Sequence, residues 1–214
     1  MKKLLNAAFF SCALVCSSHA WAGLIGFNVG VNTTAIAGQS GFVDFTFLSG
    51  GAAAPAATAT ITNFARVGGT LGAATLTGNA TGALPGTLTL GNAGAFNDIF
   101  QAVTFGTQYS FQASVNTPVP NGSNVGSRLS VSLYAADGVT PLLTVDPGGA
   151  VLAIDVNSAG AGTFTAFASS VASGAPVATA VAIPEPQGGL LFVSGIALLG
   201  FCMRGKFSPA QTKY

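Results

Sequence analysis

The chain has 214 residues, of which 50% are hydrophobic and only 6% charged, against about 25% charged in an ordinary soluble domain. Its 29 glycines and 10 prolines, with much of the apolar content in alanine, point to a turn-rich β-protein and away from a helical membrane bundle or a disordered chain. Lys2, Lys3, Arg204, Lys206 and Lys213 crowd the two ends, and Gly23 to Ile183 carries only Arg66 and Arg128 against five aspartates, so a nucleic-acid partner has no basic patch to meet.

At the start, Lys2 and Lys3 precede an apolar stretch from Leu4 to Cys16, followed by Ser17-Ser18-His19 and Ala20-Trp21-Ala22. This is the three-part layout of a secretory signal peptide, with small residues at Ala20 and Ala22 fitting the peptidase, and it predicts cleavage after Ala22. Signal peptidase is therefore an expected processing partner. Cys12 and Cys16 lie in this stretch and Cys202 near the other end, so the body between can form no disulfide. Neither Cys12, beside Phe9-Phe10-Ser11, nor Cys16, after Val15, has the small neighbours of a lipidation site.

From Gly23 the dominant signal is period-two alternation, the pattern of half-buried strands. Strands are expected at Leu24 to Val31, Gly41 to Leu48, Ala57 to Thr62, Thr87 to Leu90, Ile99 to Phe105, Tyr109 to Val115, Arg128 to Ala135, Leu142 to Val145, Val151 to Val156 and Thr163 to Phe167. Asn121-Gly122-Ser123, Asp137-Gly138 and Asp146-Pro147-Gly148-Gly149 supply turns between them, since Gly gives positive φ, Pro presets φ, and Asn or Asp bonds its own backbone. About ten short strands without a long helix suggest an all-β fold, an antiparallel β-sandwich of jelly-roll type. The Thr/Ala/Gly-rich stretch from Ala52 to Thr89 reads as compositional bias with no repeat.

Residues 168–183 are Ala/Ser/Val-rich with few large apolar side chains and read as a linker. Beyond them, Gln187 to Met203 is 17 residues without a charge, about 25 Å as a helix and near the lower limit for a bilayer span. Arg204 and Lys206 follow as a membrane stop, and basic flanks favour the cytoplasmic side, so the body would face outward across the inner membrane. The expected organisation is thus a signal peptide over residues 1–22, a β-sandwich over 23–167, a linker over 168–183, a transmembrane tail over 184–206 and a cytoplasmic end over 207–214.

Ile183-Pro184-Glu185-Pro186 stands just before the apolar run. The order Pro184-Glu185-Pro186, short apolar helix and basic end resembles the PEP-CTERM sorting signal. That resemblance implies recognition and processing by an exosortase, a membrane enzyme of Gram-negative bacteria that also make exopolysaccharide. The two prolines deny this stretch helix and ladder hydrogen bonds, leaving Glu185 on the extended backbone a protease needs. The body is also similar to an uncharacterised family of PEP-CTERM proteins, through Gly41-Phe42-Val43-Asp44-Phe45-Thr46-Phe47, Phe96-Asn97-Asp98 with Phe105-Gly106, and Ser132-Leu133-Tyr134 followed by Pro141-Leu142-Leu143. This second resemblance implies a shared fold and carries no established activity.

After signal cleavage the body holds no His, Cys or Lys, because the single His is His19. Ser-His-Asp and Cys-His catalysis, His-ligated zinc and Schiff-base lysine chemistry are therefore excluded by inventory. A carboxylate pair remains for glycosidase chemistry, with Asp146 and Asp155 flanking one expected hairpin. Asp146, Asp137 before Gly138 and Asp98 after Asn97 are better explained as turn residues bonding local backbone. Calcium, which needs only oxygen ligands, is a second reading of the aspartates, but no loop spaces its ligands as a calcium loop does and structural use is favoured, so neither metal nor cofactor is expected. Tyr109, Tyr134, Phe42 and Phe47 are candidates for stacking on sugar rings. The expected function is a non-enzymatic exported surface or matrix protein meeting exopolysaccharide or copies of itself, with a carbohydrate-binding module as the alternative.

Overall fold

The computed structural model describes residues 23–171 and 173–184. Twelve strands run in chain order: β1 (Gly23–Asn32), β2 (Ser40–Ser49), β3 (Thr58–Val67), β4 (Thr70–Thr77), β5 (Ala80–Thr81), β6 (Leu88–Gly91), β7 (Asp98–Thr104), β8 (Gln108–Thr117), β9 (Ser127–Ala135), β10 (Ala150–Val156), β11 (Gly162–Ala166) and β12 (Ala178–Ala182). One short 3-10 turn, Thr34–Ile36, is the sole helical element among the described residues. The strands form two six-stranded sheets, ordered β12-β1-β8-β3-β6-β5 and β11-β10-β9-β2-β7-β4, with every pairing antiparallel. The protein is all-β and its two sheets make a sandwich. The chain changes sheet at each step from β1 to β5, at each step from β6 to β9, and from β11 to β12.

Alternation along the strands explains which residues meet between the sheets. Val43, Phe45 and Phe47 of β2, Ile99 of β7, Leu129 and Leu133 of β9, and Leu152 and Ile154 of β10 point inward from one sheet, and all are buried. Ile61, Leu88, Leu90, Tyr109, Phe111 and Val115 meet them from the other. The Phe45 and Phe111 rings touch edge to face across the sandwich, 5.5 Å between centroids, an arrangement aromatic quadrupoles favour. Gly41 is required for close approach: a Cβ there would stand 2.2 Å from the Tyr134 carbonyl oxygen and 2.6 Å from the Phe105 ring.

Three buried amides tie loops to this frame. Asn92 accepts from the Ala57 N–H and donates to the Pro55 carbonyl and the Ser127 hydroxyl, at 2.8–2.9 Å. Asn97 donates to the Phe47 carbonyl and accepts from the Asn79 N–H. Gln101, 1% exposed, accepts from the Leu84 N–H at 2.8 Å and donates to the Gly72 and Leu84 carbonyls.

Several sequence-based expectations are corrected. The span Leu142 to Val145 is not a strand: Pro141 makes only an isolated bridge with Tyr134, Leu143 sits at φ 59°, and Val145 donates to the Ala168 carbonyl. Leu143 is buried in the core from this loop and Leu142 packs against it, while Val145 is exposed. The linker expected over 168–183 contains β12, which pairs with β1 from Phe27↔Ala182 to Val31↔Ala178, and the Ile183 N–H donates to the Gly26 carbonyl at 2.8 Å. Small residues here form an edge strand that needs few large side chains. β4 and β5 lie inside the stretch read as compositional bias; β4 is a mostly exposed edge strand, so it lacks the one-sided alternation that reveals half-buried strands. The expected strand at Ala57 to Thr62 continues to Val67 through a bulge between Thr62 and Ala65, with Asn63 at φ 54°.

Candidate functional site

The outer face of the sheet containing β2 gathers most of the side chains with chemistry. Because Val43, Phe45 and Phe47 face inward, Phe42, Asp44, Thr46 and Leu48 face outward. Register sets their neighbours: Phe42 stands opposite Tyr134 and Ala102, Asp44 opposite Ser132 and Phe100, Thr46 opposite Ser130 and Asp98, and Leu48 opposite Arg128. The face therefore reads as an aromatic end, an acidic centre and an Arg128 end.

At the aromatic end, Phe42 and Phe100 stack with centroids 4.4 Å apart, and Tyr134 lies 5.8 Å from Phe100. All three are half-buried. The Asp137-Gly138 turn borders this end. Asp137 accepts from the Thr140 hydroxyl at 2.5 Å and from the Thr140 and Val139 N–H groups, bonds that hold its carboxyl below the usual carboxylate range. Gly138, at φ 72°, lies beside the rings: a Cβ there would stand 3.6–3.7 Å from Phe100 and Phe42. A groove of about 350 Å³ lies beside Phe42, bordered by Gly72, Ala102 and Thr104.

At the centre, Asp44 and Asp98 are each only 7% exposed. Thr46 donates its hydroxyl to Asp44 Oδ2 at 3.0 Å, while Asp44 Oδ1 and Asp98 Oδ1 have no hydrogen-bond partner among the described residues. Burial raises the Asp44 pKa to about 7, with the Thr46 hydrogen bond opposing and the Asp98 charge reinforcing the shift. Sequence reasoning assigned Asp98 to local backbone bonding; instead its neighbour Asn97 bonds backbone distant in the chain, at Phe47 and Asn79, and Asp98 is turned onto the sheet face by its place in β7.

At the other end, Arg128 clamps Asp155 through two hydrogen bonds of 2.7 and 2.9 Å across the β9–β10 pairing. They border a groove of about 510 Å³ with Leu48, Ser130, Asn157 and Thr163. The carboxylate pair considered from the sequence, Asp146 and Asp155, is not built as one: Asp155 is held by Arg128, and Asp146 accepts from the Ala150 N–H within its own turn.

Of the aromatics considered for sugar stacking, Tyr109 is 2% and Phe47 0% exposed, so neither can meet a ring. Burial pushes the Tyr109 hydroxyl up to about 12. Phe42 and Tyr134 do reach the outer face, and the structure adds Phe100 between them, a residue no local signal distinguishes from the core phenylalanines. Pro184 is exposed; Glu185, Pro186, Arg204, Lys206, Ala20 and Ala22 lie outside the described residues. Among the described residues no helix is long and apolar enough to cross a membrane, and no group of three or more His, Cys, Asp or Glu is assembled. Comparison with protein-family models, with curated proteins and with solved structures returned no match.

Proposed function

We propose that this chain is a non-enzymatic exported surface or extracellular-matrix protein, associated with exopolysaccharide, that exosortase sorts and processes at or near Pro184-Glu185-Pro186. In this reading signal peptidase removes residues 1–22, the tail holds the precursor transiently in the inner membrane, and processing delivers the β-domain to the cell surface or matrix. The observation that carries it lies beside the motif: the last described interstrand bond is made by the Ile183 N–H, and the next residue, Pro184, is exposed. A cut at or beyond Pro184 would remove none of the described strands, so the described sandwich would survive such processing. We read the sandwich as jelly-roll in type, on the alternation of β1 to β5 and β6 to β9 between the sheets.

The test is intact mass and fractionation of the protein from an exosortase-positive host and from its exosortase deletion, alongside Pro184-Glu185-Pro186→Ala. Loss of the C-terminal run only when enzyme and motif are both intact supports the reading. Retention of that run in every arm rejects it.

The alternative is a carbohydrate-binding module tethered at the envelope, favoured by the Phe42, Phe100 and Tyr134 cluster on the outer face. It requires saturable glycan binding that Tyr134→Ala weakens, because a half-exposed aromatic ring supplies the stacking surface for a sugar.

A further inference from the structure

Asp44 and Asp98 lie on neighbouring strands at diagonal positions of the same face, with Thr46 beside the first and directly opposite the second. Diagonal cross-strand neighbours on one face have Cβ atoms roughly 7 Å apart or less, which places the two carboxyl groups on the same patch of that face. Each residue is more than nine-tenths buried, and each presents an Oδ1 with no partner. Buried charged oxygens left unpaired are costly and are ordinarily matched by a cation or a donor.

The described residues offer no cation to match them. Their only basic side chains are Arg66 and Arg128. Arg66 lies on β3 in the other sheet and donates to the Gly68 and Gly69 carbonyls; Arg128 is taken by Asp155. On β9 the residue facing Asp44 is Ser132, itself 5% exposed, with Ser130 facing Thr46. The cluster therefore holds two carboxylates and three hydroxyls, all hard oxygen donors.

We propose that Asp44 and Asp98 are the anionic ligands of a divalent-cation site, completed by hydroxyl oxygens of this face and by water, whose ion is calcium. Oxygen-only donors select hard cations, and calcium accepts six to eight oxygens in irregular geometry, whereas magnesium demands a near-ideal octahedron. The same two carboxylates do not suit a glycosidase dyad, because neither groove on this face is lined by Asp44 or Asp98. An ion and its waters need no such groove. A cation here would clamp β2 to β7, between the aromatic cluster and the Arg128 end.

The test is calorimetric titration of calcium and of magnesium into the EDTA-treated full chain at pH 8, with thermal unfolding in parallel, for wild type, Asp44→Asn and Asp98→Asn. Saturable calcium binding with Kd on the order of 10⁻⁴ to 10⁻³ M, as for extracellular modules, is expected together with a rise in Tm. Each near-isosteric variant should weaken binding by about tenfold or more as ligand charge is removed, and magnesium should bind more weakly than calcium. Wild-type affinity should also fall between pH 8 and pH 6, because a ligand proton then competes with the metal. This arm needs no variant to fold. A wild-type chain that ignores calcium, a response equal in wild type and both variants, or a Tm that follows pH alone would each overturn the site.

Discussion

Val29 of β1 pairs with Ala180 of β12, so a segment of small residues closes the edge of a strand whose own valines lie in the core. Removing it would leave the β1 edge with unpaired N–H and C=O groups open to another chain. A chain ending after Phe167 is expected to be less stable than one ending after Ile183 by about 3 kcal/mol, from several interstrand bonds at about 1 kcal/mol each. It is also expected to self-associate. Urea unfolding with light scattering on the two truncations measures both effects.

Asp44 gives stability a pH dependence in calcium-free buffer. Its carboxyl titrates near the ordinary value of 3.8 when unfolded and at about 7 when folded, so between these values the folded state binds a proton that the unfolded state has lost. Stability should therefore fall as pH rises from about 4 to about 7, by up to roughly 4 kcal/mol, and level off above. Asp98 is the titratable group facing Asp44, and among the described residues no basic side chain joins them. Asp137 has the opposite sign, losing its contribution only as pH falls into the acid range. Urea unfolding at pH 4.5, 6 and 7.5 should show the slope in wild type and a flatter profile in Asp44→Asn.

Gln101 is a buried amide whose partners are the backbone of a different loop. Gln101→Leu keeps the volume but strands the Leu84 N–H and carbonyl, at an expected cost of about 2–4 kcal/mol. A midpoint for denaturation equal to wild type would show that water replaces the amide freely.

Arg128 and Asp155 are 57% and 40% exposed at the side chain. Such surface pairs contribute little, so Arg128→Ala and Asp155→Ala should each lower stability by less than about 1 kcal/mol, and the effect should shrink in high salt. Loss of several kcal/mol in either would mean the groove they border needs the pair for its shape.

Phe47 and Phe42 differ by five positions on one strand and face opposite ways. Phe47→Ala should cost about 3–5 kcal/mol as a core deletion, whereas Phe42→Ala should cost less, because its half-exposed ring gives up less apolar area. Equal costs, read from chemical denaturation, would place Phe42 in the core as well.

Strands whose two faces differ were legible along the chain: β3, β8 and β9 show alternation because one side is drier than the other, and the Asp137 and Asp146 turns are local chemistry that needs no partner. Edge strands β4 and β12 were not legible, since a mostly exposed edge selects no apolar face and its pairing is bought by a neighbour distant in the chain. The export and sorting proposed above rest likewise on short linear motifs and not on any described strand.

The outer face belongs to tertiary structure alone. Asp44 and Asp98 are 54 residues apart in number, and Phe42, Phe100 and Tyr134 come from three strands. Nothing local distinguishes them from core phenylalanines or turn aspartates. Cross-strand register between β2, β7 and β9 decides that they share one surface, because hydrogen-bond pairing sets which side chains stand opposite while period two sets only which way each one points.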